Sequence, residues 1–188
     1  MGMGEPFLNY DNTIESANLL HHPEGINMGA WRITISTAGI IRKINQYTRE
    51  RHPYKLAVSL NASNELQRLK TMPITKSNSF KELINSSKNY TLQTKKKITF
   101  EYVMLSNIND SSSDARALIR QLGSINCKLN LIPYNEIDSS NTIGISSGAS
   151  APEKLVLSLL NSIKKDRKVS IEEVLSLIHI SEPTRPRL

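Results

Sequence analysis

Four short apolar runs lie along the first three quarters of the chain, and stretches with helical spacing separate them. The runs are rich in β-branched and aliphatic residues and occupy 32–37, 55–60, 98–105 and 128–133. Runs of this length and composition predict β-strands that are buried on both faces. A fifth, truncated strand is predicted to end at Gly4.

Three apolar stripes between these runs have the period of an α-helix. Each stripe follows a residue type that caps helices, namely Asn12, Ser79 or Ser113, and Gly123 stands just past the third stripe. The stripes are Ile14, Ala17 and Leu20; Phe80, Leu83 and Ile84; and Ala117, Leu118 and Leu122. Strands that alternate with single helices form parallel βαβ units, so we predict an α/β fold that contains part of a barrel or an open sheet.

Composition excludes several classes of protein. Of the 188 residues, 38% are hydrophobic and 22% are charged, which is too apolar for a disordered chain. No apolar run approaches the roughly 18 residues of a membrane-spanning helix, and the first five residues are not those of a signal peptide. The 24 Lys and Arg residues exceed the 17 Asp and Glu residues by 7. This net charge of +7 suits a polyanion such as RNA, but proteins without such a partner reach it too.

Cysteine usage restricts the chemistry further. Cys127 is the one cysteine of the chain, so neither a disulfide framework nor a Cys-only metal or iron–sulfur site can form within it. Its position at the start of an apolar run favours a small core side chain over a catalytic thiol. We therefore predict neither a catalytic residue nor a metal site in this chain.

Polar residues follow the predicted strands, at the point where each strand ends. They are Glu5, Ser36, Thr37, Ser59, Asn61 and Asn135. Taken singly, each is typical of a cap or a turn. Because the carboxyl ends of parallel strands meet at one edge of a sheet, we expect these side chains to line one rim and to share a polar ligand.

Five segments resemble, in order and at similar spacing, the strand motifs of one enzyme family. This is the RlmN/Cfr family of radical S-adenosylmethionine (SAM) enzymes, which methylate C2 of an adenine in 23S ribosomal RNA and in some tRNAs. The segments are 2–12, 32–39, 56–62 with 72–74, 100–105 with 109–116, and 127–135. The resemblance covers residues 1 to about 138 and implies a partial (βα) barrel of the radical SAM type in a cytoplasmic RNA methyltransferase.

The resemblance also implies a set of cofactor-binding residues. Gly4 and Glu5 are expected to hold the SAM amino group, because a backbone carbonyl and a carboxylate suit an ammonium. Ser36 and Ser59 are expected to offer hydroxyls to the SAM carboxylate or ribose. Many family members have histidine where this chain has Asn61, whose amide keeps a donor and an acceptor but carries no titratable proton. The whole implied set is Gly4, Glu5, Ser36, Ser59, Leu60, Asn61 and Asn135.

The cysteines that the family uses in catalysis have no counterpart in this chain. The family holds its [4Fe–4S] cluster with a C-x3-C-x2-C motif and carries the methyl group on a further cysteine, and neither feature is found here. Without cluster ligands, no electron reaches SAM. We therefore expect a fragment of a methyltransferase whose family partners are 23S rRNA and tRNA, and we expect it to be inactive as it stands.

The last quarter of the chain resembles a different enzyme. Residues from about 141 to 174 are similar to the C-terminal part of 4-hydroxy-3-methylbut-2-enyl diphosphate reductase, the LytB/IspH family. Ser150 stands where that family has a serine that contacts the substrate diphosphate, and helix capping is the alternative interpretation. We predict a partial barrel over 1–138, an appended strand–helix unit over 139–175, and an unstructured tail over 176–188 that resembles translated sequencing-adapter DNA.

Three functions remain open at this point. The chain is a fragment of the RNA methyltransferase, a fragment of the diphosphate reductase, or a non-catalytic chimeric remnant that binds at most SAM or RNA. Five motifs support the first reading and one segment supports the second.

Overall fold

The computed structural model describes residues 4–134. Several predictions fall outside these residues: the site residue Asn135, Ser150 with the strand–helix unit over 139–175, and the tail over 176–188. The truncated strand that ends at Gly4 lies mostly outside them as well.

The described residues contain one four-stranded sheet, which confirms the predicted α/β fold. The strands are β1 (Thr34–Thr37), β2 (Lys55–Ser59), β3 (Ile98–Met104) and β4 (Cys127–Pro133). All neighbouring strands are parallel and follow the order of the chain, β1-β2-β3-β4. Each strand begins and ends within two residues of its predicted bounds.

Five α-helices and three 3₁₀ turns connect these strands. The helices are α1 (Tyr10–His21), α2 (Ile41–Glu50), α3 (Glu65–Thr71), α4 (Phe80–Thr94) and α5 (Ser112–Leu122). The 3₁₀ turns are Pro6–Asn9, Ala30–Arg32 and Pro73–Lys76. The connection from β2 to β3 holds two helices, α3 and α4, where the sequence pattern predicted single helices.

One of the three predicted helix caps is confirmed and two are wrong. The Ser79 hydroxyl accepts a hydrogen bond from the Glu82 N–H and caps α4, as predicted. Asn12 lies inside α1, which begins after Asn9, and its amide donates to the Asn9 side chain over 2.7 Å. The cap of α5 is Ser111 rather than Ser113.

Ser111 and Ser113, near the start of α5, could each cap a helix, and the position of Asp114 determines which of them does. Asp114 stands three residues after Ser111, so each side chain bonds the backbone N–H of the other in a capping box. Ser113 has no acidic residue three positions later, because position 116 is Arg116. Spacing to a carboxylate therefore decides the start of the helix.

The two faces of the sheet differ, and the prediction that the strands are buried on both faces is wrong for the described residues. One face packs into a single hydrophobic cluster with residues of the helices, among them Phe7, Ile44, Leu83 and Leu118. The strand residues of that face include Ile35, Leu56, Val58, Ile98 and Phe100. The other face is polar and carries Thr34, Ser36, Lys55, Ser59, Thr99, Glu101, Lys128 and Asn130, all of them half-buried or exposed. In a (βα) barrel, the face opposite the helices lines the interior.

Candidate functional site

Glu5 lies at the carboxyl end of β1, where the chain enters the first 3₁₀ turn. Its Oε1 atom accepts hydrogen bonds from the Thr37 hydroxyl over 2.8 Å and from the Phe7 N–H over 3.0 Å. Its Oε2 atom accepts one from the Ala38 N–H over 2.5 Å. A carboxylate offers about four acceptor positions, so about one remains free for a ligand. This fixed, half-buried carboxylate suits an ammonium group.

Gly4 precedes this carboxylate in a conformation that favours glycine. Its φ is +94°, and no atom lies within 4 Å of the position that a Cβ would occupy. The glycine is therefore required by the backbone geometry and not by lack of space. It sets the direction in which the chain presents Glu5.

Ser36 and Ser59 lie on the polar face of two neighbouring strands. The register pairs Ser36 with Ala57 and Ser59 with Glu101, so both serines share one face two positions apart along the sheet. Both are half-buried. The predicted hydroxyl pair therefore stands on one surface, close to the carboxyl ends of β1 and β2.

Leu60 and Asn61 follow β2, and the protein itself already uses most of their polar groups. The Leu60 side chain is fully buried, so only its backbone can meet a ligand. The Asn61 Oδ1 accepts from the Val103 N–H over 2.9 Å, and its Nδ2 lies 3.6 Å from the Met72 Sδ. One acceptor position and one N–H of the Asn61 amide therefore remain for the predicted donor and acceptor role.

The side chain of Asn109 holds the loop that carries Asn61 by hydrogen bonds. The Asn109 side chain is buried, donates to the carbonyls of Asn61 and Val103 over 3.0 and 2.8 Å, and accepts from the Leu105 N–H over 2.6 Å. These bonds satisfy its amide fully and fix the backbone of Asn61, whose φ is +54°. Asn109 belongs to one of the five family-like segments, but its sequence context predicted no role for it.

A buried carboxylate joins the loops after β2 and β3. The Asp114 Oδ1 accepts from the Ser63 hydroxyl and from the Gln67 Nε2, each over 2.6 Å. Burial of Asp114 disfavours its charge, but the hydrogen bonds from Ser111, Ser63 and Gln67 outweigh burial and lower its pKa to about 2. Asp114 is therefore ionised at neutral pH and acts as a structural anchor beside the site.

The described residues do not fit an iron–sulfur cluster. They contain no group of three or more His, Cys, Asp or Glu side chains that could hold a metal ion. Cys127 is half-buried against the hydrophobic cluster, and burial raises the pKa of its thiol. One neutral thiol cannot supply the three thiolates of the family motif. Over the same residues, no helix is long and apolar enough to span a membrane.

Comparison with known proteins gives relatives for about three quarters of the chain. No protein-family model matches. The chain is 42% identical over 135 residues to the probable dual-specificity RNA methyltransferase RlmN of Leptospira interrogans, and 44% identical over 137 residues to that of Dictyoglomus turgidum. It is 39% identical over 140 residues to the dual-specificity RNA methyltransferase RlmN of Syntrophotalea carbinolica. This part of the chain is similar to RlmN.

Structural comparison agrees with this similarity to RlmN. A radical SAM methyltransferase from Sphaerobacter thermophilus, known from its crystal structure, superposes with a TM-score of 0.70 at 43% identity. That match covers 72% of this chain and 40% of the other protein. The curated RlmN relatives likewise match 72–74% of this chain, and the chain spans 38–39% of their length. None of these relatives is a diphosphate reductase, so the IspH-like segment stays a prediction.

The structure places six of the seven predicted site residues at or near the carboxyl ends of β1 and β2, and it adds others that the sequence did not reveal. Gly4, Glu5, Ser59, Leu60 and Asn61 lie at the carboxyl ends of β1 and β2 or next to them, and Ser36 lies one residue before the end of β1. Asn135 is outside the described residues. The residues that were missed are Ala38, Arg68 and Asn109. The Ala38 N–H donates to the Glu5 carboxylate, and the Arg68 and Asn109 side chains donate to backbone carbonyls of the rim. We define this rim as residues 37–39 and 59–61 together with Glu5.

Proposed function

We propose that the RlmN-like part of this chain binds SAM at the rim, as a portion of a radical SAM methyltransferase that modifies C2 of adenine in 23S rRNA and tRNA. The observation that carries the proposal is the Glu5 carboxylate, which three hydrogen bonds hold at the end of β1 with about one acceptor position left. The names of the relatives supply the reaction class.

Each remaining site residue has an assigned part in this proposal. Glu5 accepts a hydrogen bond from the SAM ammonium, and Ser36 and Ser59 offer hydroxyls to its carboxylate or ribose. The backbone of Leu60 and Asn61 borders the rim on the side next to β3. The family resemblance adds Asn135, which lies outside the described residues.

The RNA partner is part of the same proposal. The net charge of +7 supports a polyanionic substrate. With SAM and a [4Fe–4S] cluster bound together, members of the family gain radical chemistry. One cysteine does not fit that cluster, so we propose cofactor binding in the cytoplasm without methylation by this chain alone.

Calorimetric titration of the full chain tests the proposal with three ligands. S-adenosylhomocysteine and SAM both carry the amino group that Glu5 is proposed to hold, whereas 5′-methylthioadenosine lacks it. We expect the wild-type chain to bind the first two more tightly than the third. Glu5→Gln should weaken binding of the first two by about tenfold, because a hydrogen bond between charged groups contributes about 1.5–3 kcal/mol. Binding of 5′-methylthioadenosine should change little.

The matched control for this experiment is Glu15→Gln. Glu15 is an exposed carboxylate on α1, and its loss changes the net charge by the same amount. We expect the Glu15→Gln variant to bind all three ligands like the wild type. Equal affinities of the wild type and Glu5→Gln for S-adenosylhomocysteine, or no binding by the wild type, would refute the proposed site.

A further inference from the structure

Arg68 on α3 is a charged side chain with no exposed surface. Its relative exposure is 0%, and among residues 4–134 its guanidinium has no carboxylate within 4 Å. Burying a charge without a counter-ion is costly unless hydrogen bonds replace its water. The hydrogen-bond partners of the buried guanidinium therefore show what the fold gains from it.

All four hydrogen bonds of the Arg68 guanidinium go to neutral oxygens, and three of these are backbone carbonyls of the rim. Nη2 donates to the Ala38 carbonyl over 2.5 Å and to the Ser59 carbonyl over 3.1 Å. Nε donates to the Leu60 carbonyl over 3.2 Å, and Nη1 donates to the Thr75 hydroxyl over 2.9 Å. The planar guanidinium of Arg68 thus connects the end of β1 to the end of β2 by hydrogen bonds.

The ends of parallel strands need such a connection. Beyond the last ladder bond, the carbonyls of both strands are left without a partner from the sheet, and buried carbonyls are nearly always paired. A guanidinium presents five N–H groups in a fixed plane and can reach two strands at once, whereas a lysine ammonium is a single point on a flexible stem. The residue type therefore matters, and not only the charge.

The peptide group of Ala38 carries this connection to Glu5. Its carbonyl accepts from Arg68, and its N–H donates to the Glu5 Oε2. On the second strand, Leu60 accepts from Arg68 and directly precedes Asn61. A displacement of the guanidinium is therefore transmitted through one peptide unit to each side of the site.

Gly39 makes room for this arrangement. Its φ is +107°, and a Cβ at this position would lie 3.1 Å from the Arg68 Nη2 and 3.1 Å from the Leu83 Cδ1. The backbone conformation therefore favours glycine, and a Cβ would force the Arg68 and Leu83 side chains to shift. Burial lowers the pKa of Arg68 to about 10, so the guanidinium stays protonated at neutral pH.

We infer that Arg68 is a positioning residue that fixes the carboxyl ends of β1 and β2 against each other and thereby sets the place of Glu5 in the ligand site. The inference goes beyond the proposed function in naming how the rim is held, and it rests on that function only for the identity of the ligand. Arg68 itself touches no ligand.

Hydrogen exchange and SAM titration on the full chain test this inference together. In Arg68→Lys, we expect the amides of Ala38, Gly39 and Leu60 to exchange about tenfold faster or more, while those of β4 and α5 stay close to the wild type. SAM affinity should fall about tenfold, because catalytic and binding groups tolerate little misplacement. Gly39→Ala displaces the same Nη2 contact from the other side, and it should accelerate the same amides if Arg68→Lys fails to fold.

Thr75→Val is the control for a loss of stability alone. It removes the Arg68 partner that is not part of the rim and leaves the three carbonyl contacts in place. We expect it to lower the urea midpoint without selective exchange at the rim and with unchanged SAM affinity. Arg116→Lys, at an exposed arginine of α5, should change neither readout.

The outcomes separate this inference from the proposed function. Rim amides that exchange at the wild-type rate in both Arg68→Lys and Gly39→Ala would overturn the inference, and so would equal loss of SAM affinity in Thr75→Val. If the wild type does not bind SAM but Arg68→Lys selectively loosens the rim, the proposed ligand is refuted and the positioning role is supported.

Discussion

Two buried charged side chains stabilise the loops around the site, and both are satisfied by neutral partners. Asp114 accepts from hydroxyls and an amide, and Arg68 donates to carbonyls and a hydroxyl. Neither forms an ion pair within the described residues. Removing either side chain would leave several buried partners unpaired at once, which is more costly than losing one surface contact.

Asp114 makes the stability of the protein depend on pH in the acid range. Its pKa of about 2 in the folded chain lies below the ordinary value of 3.8, so its charged form stabilises the fold above about pH 4. This contribution is lost as the pH falls through 2. We expect Asp114→Asn to cost about 2 kcal/mol of unfolding free energy at pH 7, and the cost should shrink between pH 4 and pH 2. Urea unfolding at several pH values measures both effects.

Asp110→Asn provides the comparison for Asp114→Asn. Asp110 lies in the loop just before α5 and is exposed, and its side chain accepts one hydrogen bond, from the Asn107 N–H over 3.0 Å. We expect a change of less than about 0.5 kcal/mol. A loss in Asp114→Asn that is the same at pH 7 and pH 2 would contradict the assignment of the pH dependence to this carboxylate.

The positions of single residues could be predicted where they follow from a strand end, and not where they follow from burial of a charge. Glu5, Ser36 and Ser59 were predicted because polar residues directly after apolar runs mark the edge of a parallel sheet. Arg68 was missed because an arginine in a helix usually lies in solvent. Its burial depends on Gly39, which is distant in sequence, and no local pattern records that contact.

At the scale of elements, the strands were easier to predict than the helices. Three of the five helices in the described range had a recognisable apolar stripe, and α2 and α3 were not located. The α3 helix has seven residues, and its fully buried side chain is the charged Arg68, so its pattern resembles a loop. Tertiary contacts, and not its own propensity, hold this helix in place.

The start of α5 gives a sharp test of how caps are chosen. Ser111→Ala should lower the free energy of unfolding by about 1 kcal/mol, because the capping box with Asp114 is lost. Ser113→Ala should change it by less than about 0.5 kcal/mol, although Ser113 has the same side chain two residues away. Thermal or urea unfolding of both variants measures the difference, and equal losses would count against the capping box.

At the scale of the whole molecule, the sheet separates an apolar face from a polar one. The sequence of β3 already contains this alternation, since Ile98, Phe100 and Tyr102 are buried while Thr99 and Glu101 are half-buried between them. Burial on both faces was predicted because β2 contains a continuous apolar run. In the structure Ala57 of this run is buried, although it lies on the face that is otherwise polar, so β2 does not represent the other strands. This polar face is the one that carries Ser36 and Ser59 of the proposed site.

Adjacent residues of β3 test the two faces directly. Phe100→Ala removes a fully buried ring from the hydrophobic cluster and should cost about 3–5 kcal/mol of unfolding free energy. Glu101→Ala, one residue later on the opposite face, removes a carboxylate that accepts from Asn130 over 2.7 Å at the surface. We expect it to cost less than about 1 kcal/mol. Urea unfolding at neutral pH measures both, and similar costs would contradict the two-faced sheet.

The last prediction concerns the cofactor chemistry of the whole chain and follows from its cysteine count. After anaerobic reconstitution with iron and sulfide, the chain should hold no [4Fe–4S] cluster, because Cys127 is its one thiol and the cluster of this family needs three. Iron analysis and the visible absorbance of the protein should be the same for the wild type and for Cys127→Ser. With dithionite and SAM, neither protein should release 5′-deoxyadenosine.

Binding and chemistry are thereby expected to separate in this protein. SAM affinity should depend on Glu5 and should not change on reconstitution, because the proposed amino-group contact is made by a carboxylate that the protein's own hydrogen bonds hold in place. Stoichiometric cluster iron together with release of 5′-deoxyadenosine would overturn the argument from the cysteine count. A SAM affinity that rises on reconstitution in the wild type, but not in Cys127→Ser, would show that this thiol takes part in holding iron beside the site.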